Sequence, residues 1–569
     1  MIRLKDRTLL VETSTLTAEI TDGFITSLRD KEGGRQWLRP VDAQSRSALQ
    51  LVYASGKAVG FGGRGARIEP RLLGDDRAEI RFHGWDADGV IAISECPRTG
   101  SLLIEPAAYS STPGVLACRW NIAGLADGLE LVAPFYQGVR LAIDDELLRV
   151  RRWVWPWTWE AGLAILQGKG GGLWVHAQDT QYRYKAMKVG DGEDRRCLGF
   201  DTEAYGPLDG SLGAGGLCWR VNVFRGDWQG PAREYRDWLW RAYALRDREQ
   251  QRKAWATDIS LAISWCRGNA DLLDALAARV DPRRVLIHFS NWRTDPYDEN
   301  YPTYDASPEA RAFIAKGAAM GYHIMPHCNS VDMDPTHPVY ATLRDFQYRD
   351  VAHKGLHGWA WDSDRHAWLS VPASNVALLE NRPSKVMVKI HPGLAMWRSI
   401  LAESIQKGLS ELETDSVFID VTLCSYNLHN CLVENTTSTE GMKRVIDQVA
   451  AVRTGPSGHA GLAVGGEGLN EITMQGLSFG QAHLFESWSK SVAGLERAGG
   501  CPLNALLFGG LARTFGYSNL GGRDDEQVMR SRVHLSLGAI PTLTSPSAQD
   551  ILQPSKHVNE LLDMAAAAR

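Results

Sequence analysis

Hydrophobic and polar positions alternate with a period of two through the first part of the chain. The segments are short, RTLLVETSTLTAEITDGFITSLRD, RAEIRFHGW, GLELVAPF and GGLWVHAQD among them, and Gly, Asp and Asn separate them. Alternation places every second side chain on one face of a strand, and turn residues at this spacing predict antiparallel sheets packed as a sandwich over residues 1–225. Within 226–255, GDWQGPAREYRDWLWRAY carries apolar and aromatic residues at helical spacing, which predicts a linker helix. From 256 to 569 the pattern changes again. DISLAISWC precedes ADLLDALAARV, RVLIHFSNW precedes SPEARAFIAKGAAMG, and YHIMPHCNS precedes an insertion around 332–393; SVFIDVTLC precedes GMKRVIDQVAAVRT, and AGLAVGGEGLNE precedes GQAHLFESWSKSV. Strand-like runs alternating with helical stretches predict βαβ units and a catalytic (β/α)8 barrel of the TIM type. The expected class is therefore α+β multidomain, a β-sandwich followed by a barrel.

Composition narrows the function. With 569 residues, 44% of them hydrophobic and 23% charged, the chain has ample material for several cores. A formal charge of -5 and a pI near 6.3 give no basic field for a phosphate backbone, so nucleic acid is not an expected partner. Nine scattered cysteines form no CxxC pair, which argues against a disulfide framework or structural zinc. The N-terminal MIRLKDRTLLVETST lacks the apolar stretch of a signal peptide and no run is long enough to span a membrane, so the expected location is cytoplasmic, with no membrane partner. Twenty Trp are compatible with sugar stacking and equally with a large core. Nothing in the sequence sets the oligomeric state.

In a (β/α)8 barrel the strand C-termini open onto the catalytic face, so polar residues that end apolar runs are the candidates for chemistry. These are Trp265 and Arg267, Asn291 and Trp292, His327, Asn329 and Asp332, Asp420, and Glu467 with Glu471. Asp420 and Glu467 close the fourth and fifth predicted strands, and neighbouring strands lie about 5 Å apart. Two carboxyls so placed suit glycoside hydrolysis, where one meets the oxocarbenium carbon and the other protonates the leaving oxygen. The glycines of VGGEG permit close approach. Either carboxylate could instead pair with a rim Arg, and Glu471 competes with Glu467 as the acid.

MPHCNSVDMDPTHP, FIDVT and VGGEGLNE, in a chain ordered as β domain, linker helix and barrel, resemble the endo-α-N-acetylgalactosaminidases of glycoside hydrolase family 101 and the α-N-acetylgalactosaminidases of family 129. The resemblance implies a retaining α-glycosidase acting on α-linked galactose-type sugars (GalNAc or Gal), with Asp420 as nucleophile and Glu467 as acid/base. The Asp332–Gly393 segment has no match in that pattern. Under this reading Trp265, Asn291, Trp292, His327, Asn329 and Asp332 bind the carbohydrate substrate, Glu471 binds a hydroxyl or caps the following helix, and Trp397 is a further substrate-binding candidate that, like Arg513, lies nearer core or rim. Asp334 could also bind hydroxyls, although DPTHP is turn chemistry; Asp295, Asp298 and Glu299 form an acidic loop. Glu467 is expected to be neutral in the free protein, raised by an ionised Asp420. No metal or organic cofactor is required. Two alternatives stand: a metal-dependent barrel hydrolase using His327 with Asp332, Asp334 or Asp420, disfavoured by the lack of His-x-His and HExxH patterns, and a catalytically silent carbohydrate-binding protein.

Overall fold

The computed structural model describes residues 1–39, 41, 46–62, 66–148, 152–191, 194–352, 354, 358–362, 367–369, 384–455, 459–483 and 500–568. The chain forms two compact units, Met1–Tyr243 with Val351–His353, and Ala244–Asp350 with Lys354–Arg569.

The first unit is antiparallel throughout its described strand pairs, in sheets of four, ten and six strands. The four-stranded sheet is a meander of Ile2–Lys5, Thr8–Glu12, Leu16–Thr21 and Phe24–Asp30. Its period-two pattern is realised side chain by side chain: Leu9, Val11, Leu16, Ala18 and Ile20 are buried while their neighbours face outward. Much of the tryptophan is core. Trp120, Trp153, Trp155, Trp159, Trp174 and Trp219 are all fully buried in this unit. The core also encloses an ion cluster. Arg119 forks onto Asp201 at 2.5 and 2.9 Å, and Arg152 reaches Asp201 at 2.8 Å and Glu203. The helix expected in the 226–255 segment appears as Gln229–Ala242, which buries Pro231, Ala232, Tyr235, Leu239 and Trp240.

The second unit is a nearly closed eight-stranded parallel barrel. In chain order its strands are Leu261–Cys266, Val285–Phe289, His323–Asn329, Ser416–Asp420, Ala463–Glu467, Phe479–Ala482, Arg513–Gly516 and Thr542–Thr544. The eighth pairs with the first through Ala262↔Thr542, and a Phe515↔Ile540 bridge, with the Ile540 N–H donating to the Thr514 carbonyl at 2.8 Å, brings the seventh alongside. The sixth strand corrects a sequence expectation, because GQAHLFESWSKSV was read as helix. FGQA is buried on both faces and too short to show alternation, so periodicity does not reveal it. Helices outside the barrel start on side-chain caps: Asn269 for Ala270–Ala277, Ser307 for Pro308–Met320 and Thr437 for Ser438–Ala450.

The barrel interior is arranged in tiers. Ala262, Leu286, Met325, Phe418, Ala463, Phe479 and Phe515, one from each of the first seven strands, form a single apolar cluster. Two residues further along each strand, on the same face, stand Ser264, His288, His327, Asp420, Gly465, Gln481 and Tyr517, and Glu467 follows two beyond Gly465. A Cβ at Gly465 would lie 2.7 Å from Met325 Sδ and 3.0 Å from Phe418, so a side chain there would strike the floor. The insertion is tied to the barrel by an antiparallel pair, Asp332↔Lys389 and Met333↔Val388, at the edge of a small sheet that also holds Gly358–Asp362 and Ala367–Leu369.

Candidate active site

The polar tier lies at the strand C-termini, with Asp420 and Glu467 on adjacent strands whose register pairs Ile419 with Gly466. Both are buried. The backbone between them is strained: Val421 has φ 64°, a left-handed conformation disfavoured for a β-branched residue. That conformation turns the Val421 N–H onto Glu467 Oε2 at 3.1 Å, and the same N–H also favours the ionised form of Asp420, so one donor serves both carboxyls. Glu467 Oε1 meets His483 Nε2 at 2.6 Å, and Thr422 Oγ1 donates to the Glu467 carbonyl at 2.8 Å.

Their electrostatics differ sharply. Burial, reinforced by the negative charge of Glu467, Asp298 and Asp332, pushes Asp420 well above the ordinary carboxylate range. Burial acts on Glu467 in the same direction, but His483, through charge and hydrogen bond, with Lys389 and the Val421 N–H, holds it below its ordinary value. Burial and the surrounding negative charge thus favour the neutral form of Asp420, while His483 favours the ionised form of Glu467. The expectation that Glu467 is the neutral member did not include His483, whose charge and hydrogen bond act against it.

The other expected residues fall into three groups. His327 and Trp265 join the carboxyls. His327 Nε2 is 3.8 Å from Asp420 Oδ2, and the half-buried Trp265 packs its ring against His288, His327, Tyr297 and Tyr517. Asn329 and Asp332 support the site from beneath. Asn329 Oδ1 accepts from the Val331 and Asp332 N–H groups, its amide donates to Asp332 Oδ2 at 3.2 Å, and Asp332 Oδ1 holds Lys389 Nζ at 2.6 Å. Asn329 bonds Asp332, and Asp332 pairs with Lys389, so the two side chains belong to one buried network at the strand end. Trp292 and Trp397 are fully buried. Trp292 Nε1 donates to the His327 carbonyl at 2.7 Å and Trp397 Nε1 to the Ser330 carbonyl at 3.1 Å, so neither ring presents a face to a ligand. Asn291 and Arg267 are exposed, and Glu471 is buried in the loop beyond Glu467. Asp334 caps its own turn, accepting from Thr336, and Arg513 bonds the Thr257 and Ile259 carbonyls from the N-terminal end of its strand.

Several residues complete the arrangement without having been singled out from sequence. Lys389 is a buried cation whose ammonium, despite burial, is held above its ordinary pKa by Asp332. Tyr517 stacks on His483 with ring centroids 3.9 Å apart, and Tyr297 lies between Trp265 and His327. His288 and Gln481 lie in the polar tier itself. Trp265, Tyr297, Tyr517 and His483 are each partly exposed, forming an aromatic rim above the acids. Among the described residues, no group of three or more His, Cys, Asp or Glu side chains is arranged to hold a metal ion, and no helix is long and apolar enough to cross a membrane.

A family model described as a domain of unknown function (DUF6259) matches residues 218–519, more than half of the chain. The chain belongs to the DUF6259 family. This member has the fold of the α-N-acetylgalactosaminidase NagBb from Bifidobacterium bifidum. The Gal-NHAc-DNJ complex of NagBb superposes with a TM-score of 0.68 at 13% identity, covering 100% of this chain and 93% of that one. Its GalNAc complex gives 0.67 at 14%, covering 100% and 92%. A GH36 α-galactosidase from Geobacillus stearothermophilus, AgaA, aligns with a TM-score of 0.49 at 10% identity over 98% of this chain and 85% of that chain. No curated protein matches the DUF6259 chain. What the NagBb likeness shows is shared architecture, a β-rich N-terminal part followed by a TIM-type barrel.

Proposed function

We propose that this protein is a retaining α-glycoside hydrolase acting on α-linked galactose-type sugars, GalNAc or Gal, in oligosaccharides or glycoconjugates. The observation that carries the proposal is the pair Asp420 and Glu467, buried at adjacent strand ends and set around the Val421 N–H. The name of the NagBb neighbour supports the substrate class, and the β-rich unit is read as a sandwich of the kind that accompanies such barrels.

Asp420 attacks the anomeric carbon while Glu467 gives a proton to the leaving oxygen; water activated by Glu467 then opens the glycosyl-enzyme with retention. The pair carries one proton as a unit. Attack requires that proton on Glu467, so the leaving oxygen must displace His483 from Oε1 as it docks. Trp265, Tyr297 and Tyr517 give the sugar its apolar faces, and His327 meets an oxygen beside the reacting carbon.

The upward push on Asp420 and the hold of His483 on Glu467 favour one competing reading, in which Asp420 is the acid and Glu467 the nucleophile. Azide rescue separates the two with an activated aryl α-glycoside. Under the first assignment, Asp420→Gly with azide yields the β-glycosyl azide and Glu467→Ala yields the α-azide; exchanged roles exchange the products. Absence of turnover by wild type across aryl α-GalNAc, α-Gal and longer α-glycosides sinks the hydrolase reading itself.

A further inference from the structure

His288 lies fully buried in the barrel, one hydrogen bond removed from the carboxyl pair, and the donors around it leave its protonation no freedom. Ser264 Oγ is 2.7 Å from the Tyr517 carbonyl, which can only accept, so the hydroxyl proton points there. The same oxygen must then accept from Gln481 at 2.8 Å, which identifies the atom at that contact as the amide nitrogen Nε2. Gln481 Nε2 also lies 3.2 Å from His288 Nδ1, and the Trp265 N–H donates to the same Nδ1 at 3.3 Å. A nitrogen that receives two donors carries no proton. The neutral His288 ring is therefore protonated on Nε2, which faces His327 Nδ1 at 2.9 Å. His327 Nδ1 is the acceptor there, and its own proton lies on Nε2, toward Asp420 Oδ2 at 3.8 Å.

We propose that His288 is a positioning residue: it locks His327 as a permanently neutral Nε2–H donor beside Asp420. The direction of the chain is set by two backbone groups, the Tyr517 carbonyl and the Trp265 N–H. Trp265 holds the left-handed φ of 56° that aims this N–H. Among the described residues, His327 Nε2 and Asp420 Oδ1 are each buried without a hydrogen-bond partner. A substrate oxygen adjacent to the anomeric carbon satisfies the donor, whereas an ammonium group there meets a second donor and is refused. The groups facing the two rings agree with neutrality. Burial holds both imidazoles far below their ordinary value, His288 at about 3; at His327 the His288 ring and Arg293 add to this, and Asp420 and Tyr297 are the other titratable neighbours. The catalytic meaning of the lock rests on the proposed glycosidase reading, but the tautomers do not.

The test uses the full chain labelled with 15N-histidine. Long-range 1H–15N NMR, with the rings assigned from H288Q and H327Q, is expected to show both as Nε2–H tautomers that do not titrate between about pH 5 and 8. A ring in the Nδ1–H form, or one that titrates in that window, overturns the proposal. Two variants read its consequence. H288Q can accept from Trp265 through its carbonyl and donate to His327 through its amide, so it keeps the His327 tautomer and most of kcat. H288L removes the donor, frees His327 to change tautomer, and lowers kcat about 10- to 100-fold with a smaller effect on KM. If H288L fails to fold, wild type and H288Q still decide by NMR. Correct tautomers with no turnover of any α-glycoside by wild type reject the hydrolase reading and leave the lock standing; turnover with the wrong tautomers does the reverse.

Discussion

Replacing His483 with Phe should move the site's proton from Asp420 to Glu467. The substitution keeps an aromatic ring against Tyr517 and removes the 2.6 Å contact to Glu467 Oε1. A hydrogen bond to a charged group is worth about 1.5–3 kcal/mol, and both side chains are largely shielded from solvent, so little of this is lost to screening. At 1.36 kcal/mol per unit, loss of the bond raises Glu467 by about 1–2 pKa units. Burial already pushes Glu467 upward, and the negative field that raises Asp420 is then shared by two carboxyls of similar basicity. Infrared difference titration, with glutamate but not aspartate 13C-labelled, distinguishes the two acids. In wild type the buried protonated carboxyl band should be insensitive to the label, as expected for Asp420. In His483→Phe part of that band should move with it. The falling limb of the pH–activity profile should rise by the same 1–2 units, since the form that has lost its last proton no longer has His483 to stabilise Glu467. A label-sensitive band already present in wild type, or an unchanged band in the variant, would refute the placement of the proton.

Lys389→Met should cost about 3–5 kcal/mol in urea unfolding, because it strands the Asp332 carboxylate in the interior, while Asp332→Asn combined with Lys389→Met should recover part of that loss. Asp201→Asn should cost a similar amount by leaving Arg119 and Arg152 without their shared anion. Because those arginines overcome burial and hold the folded Asp201 below its unfolded value of about 3.9, its contribution is complete above that pH and fades as pH falls through the folded value, which acid-side urea titration will show. Trp292→Phe should lower the melting temperature through the lost bond to the His327 carbonyl, about 1–3 kcal/mol for an unpaired buried acceptor, and leave KM close to wild type; a large rise in KM would show that the ring meets substrate after all.

The parts of the fold that periodicity marks were legible in the sequence. Alternation in Thr8–Glu12 and Leu16–Thr21 appears as alternate burial, and the apolar runs ending at Asp420 and Glu467 are adjacent barrel strands. Where burial is two-sided or a strand is very short, as in Phe479–Ala482 and Thr542–Thr544, no period exists to be read. The site divides along the same line. Charges that end apolar runs announce themselves, whereas His288 sits inside RVLIHF and Gln481 inside FGQA. A usable signal for both was the two-residue offset from Leu286 and Phe479, the same offset that relates Met325 to His327. Trp292 was misplaced because an indole at a strand end looks the same in sequence whether the ring turns outward or folds into the core. Lys389 is a matter of tertiary pairing, 57 residues from Asp332, and no local pattern foretells it.

That cross-strand pairing bears on how the protein can be altered. Asp332 and Lys389 leave and re-enter the barrel side by side, and Met333 and Val388 continue the ladder outward. The two rungs are not the segment's only ties: the Tyr348 hydroxyl donates to the Cys424 carbonyl at 2.7 Å, the Asn430 amide donates to the Gln347 carbonyl at 2.8 Å, and Leu343 and Tyr348 lie in the barrel's apolar core. Closing the stem with a short hairpin would keep the Asp332–Lys389 pair but strip those bonds and side chains from the barrel, so the excursion is part of what holds the barrel together and not an ornament on it.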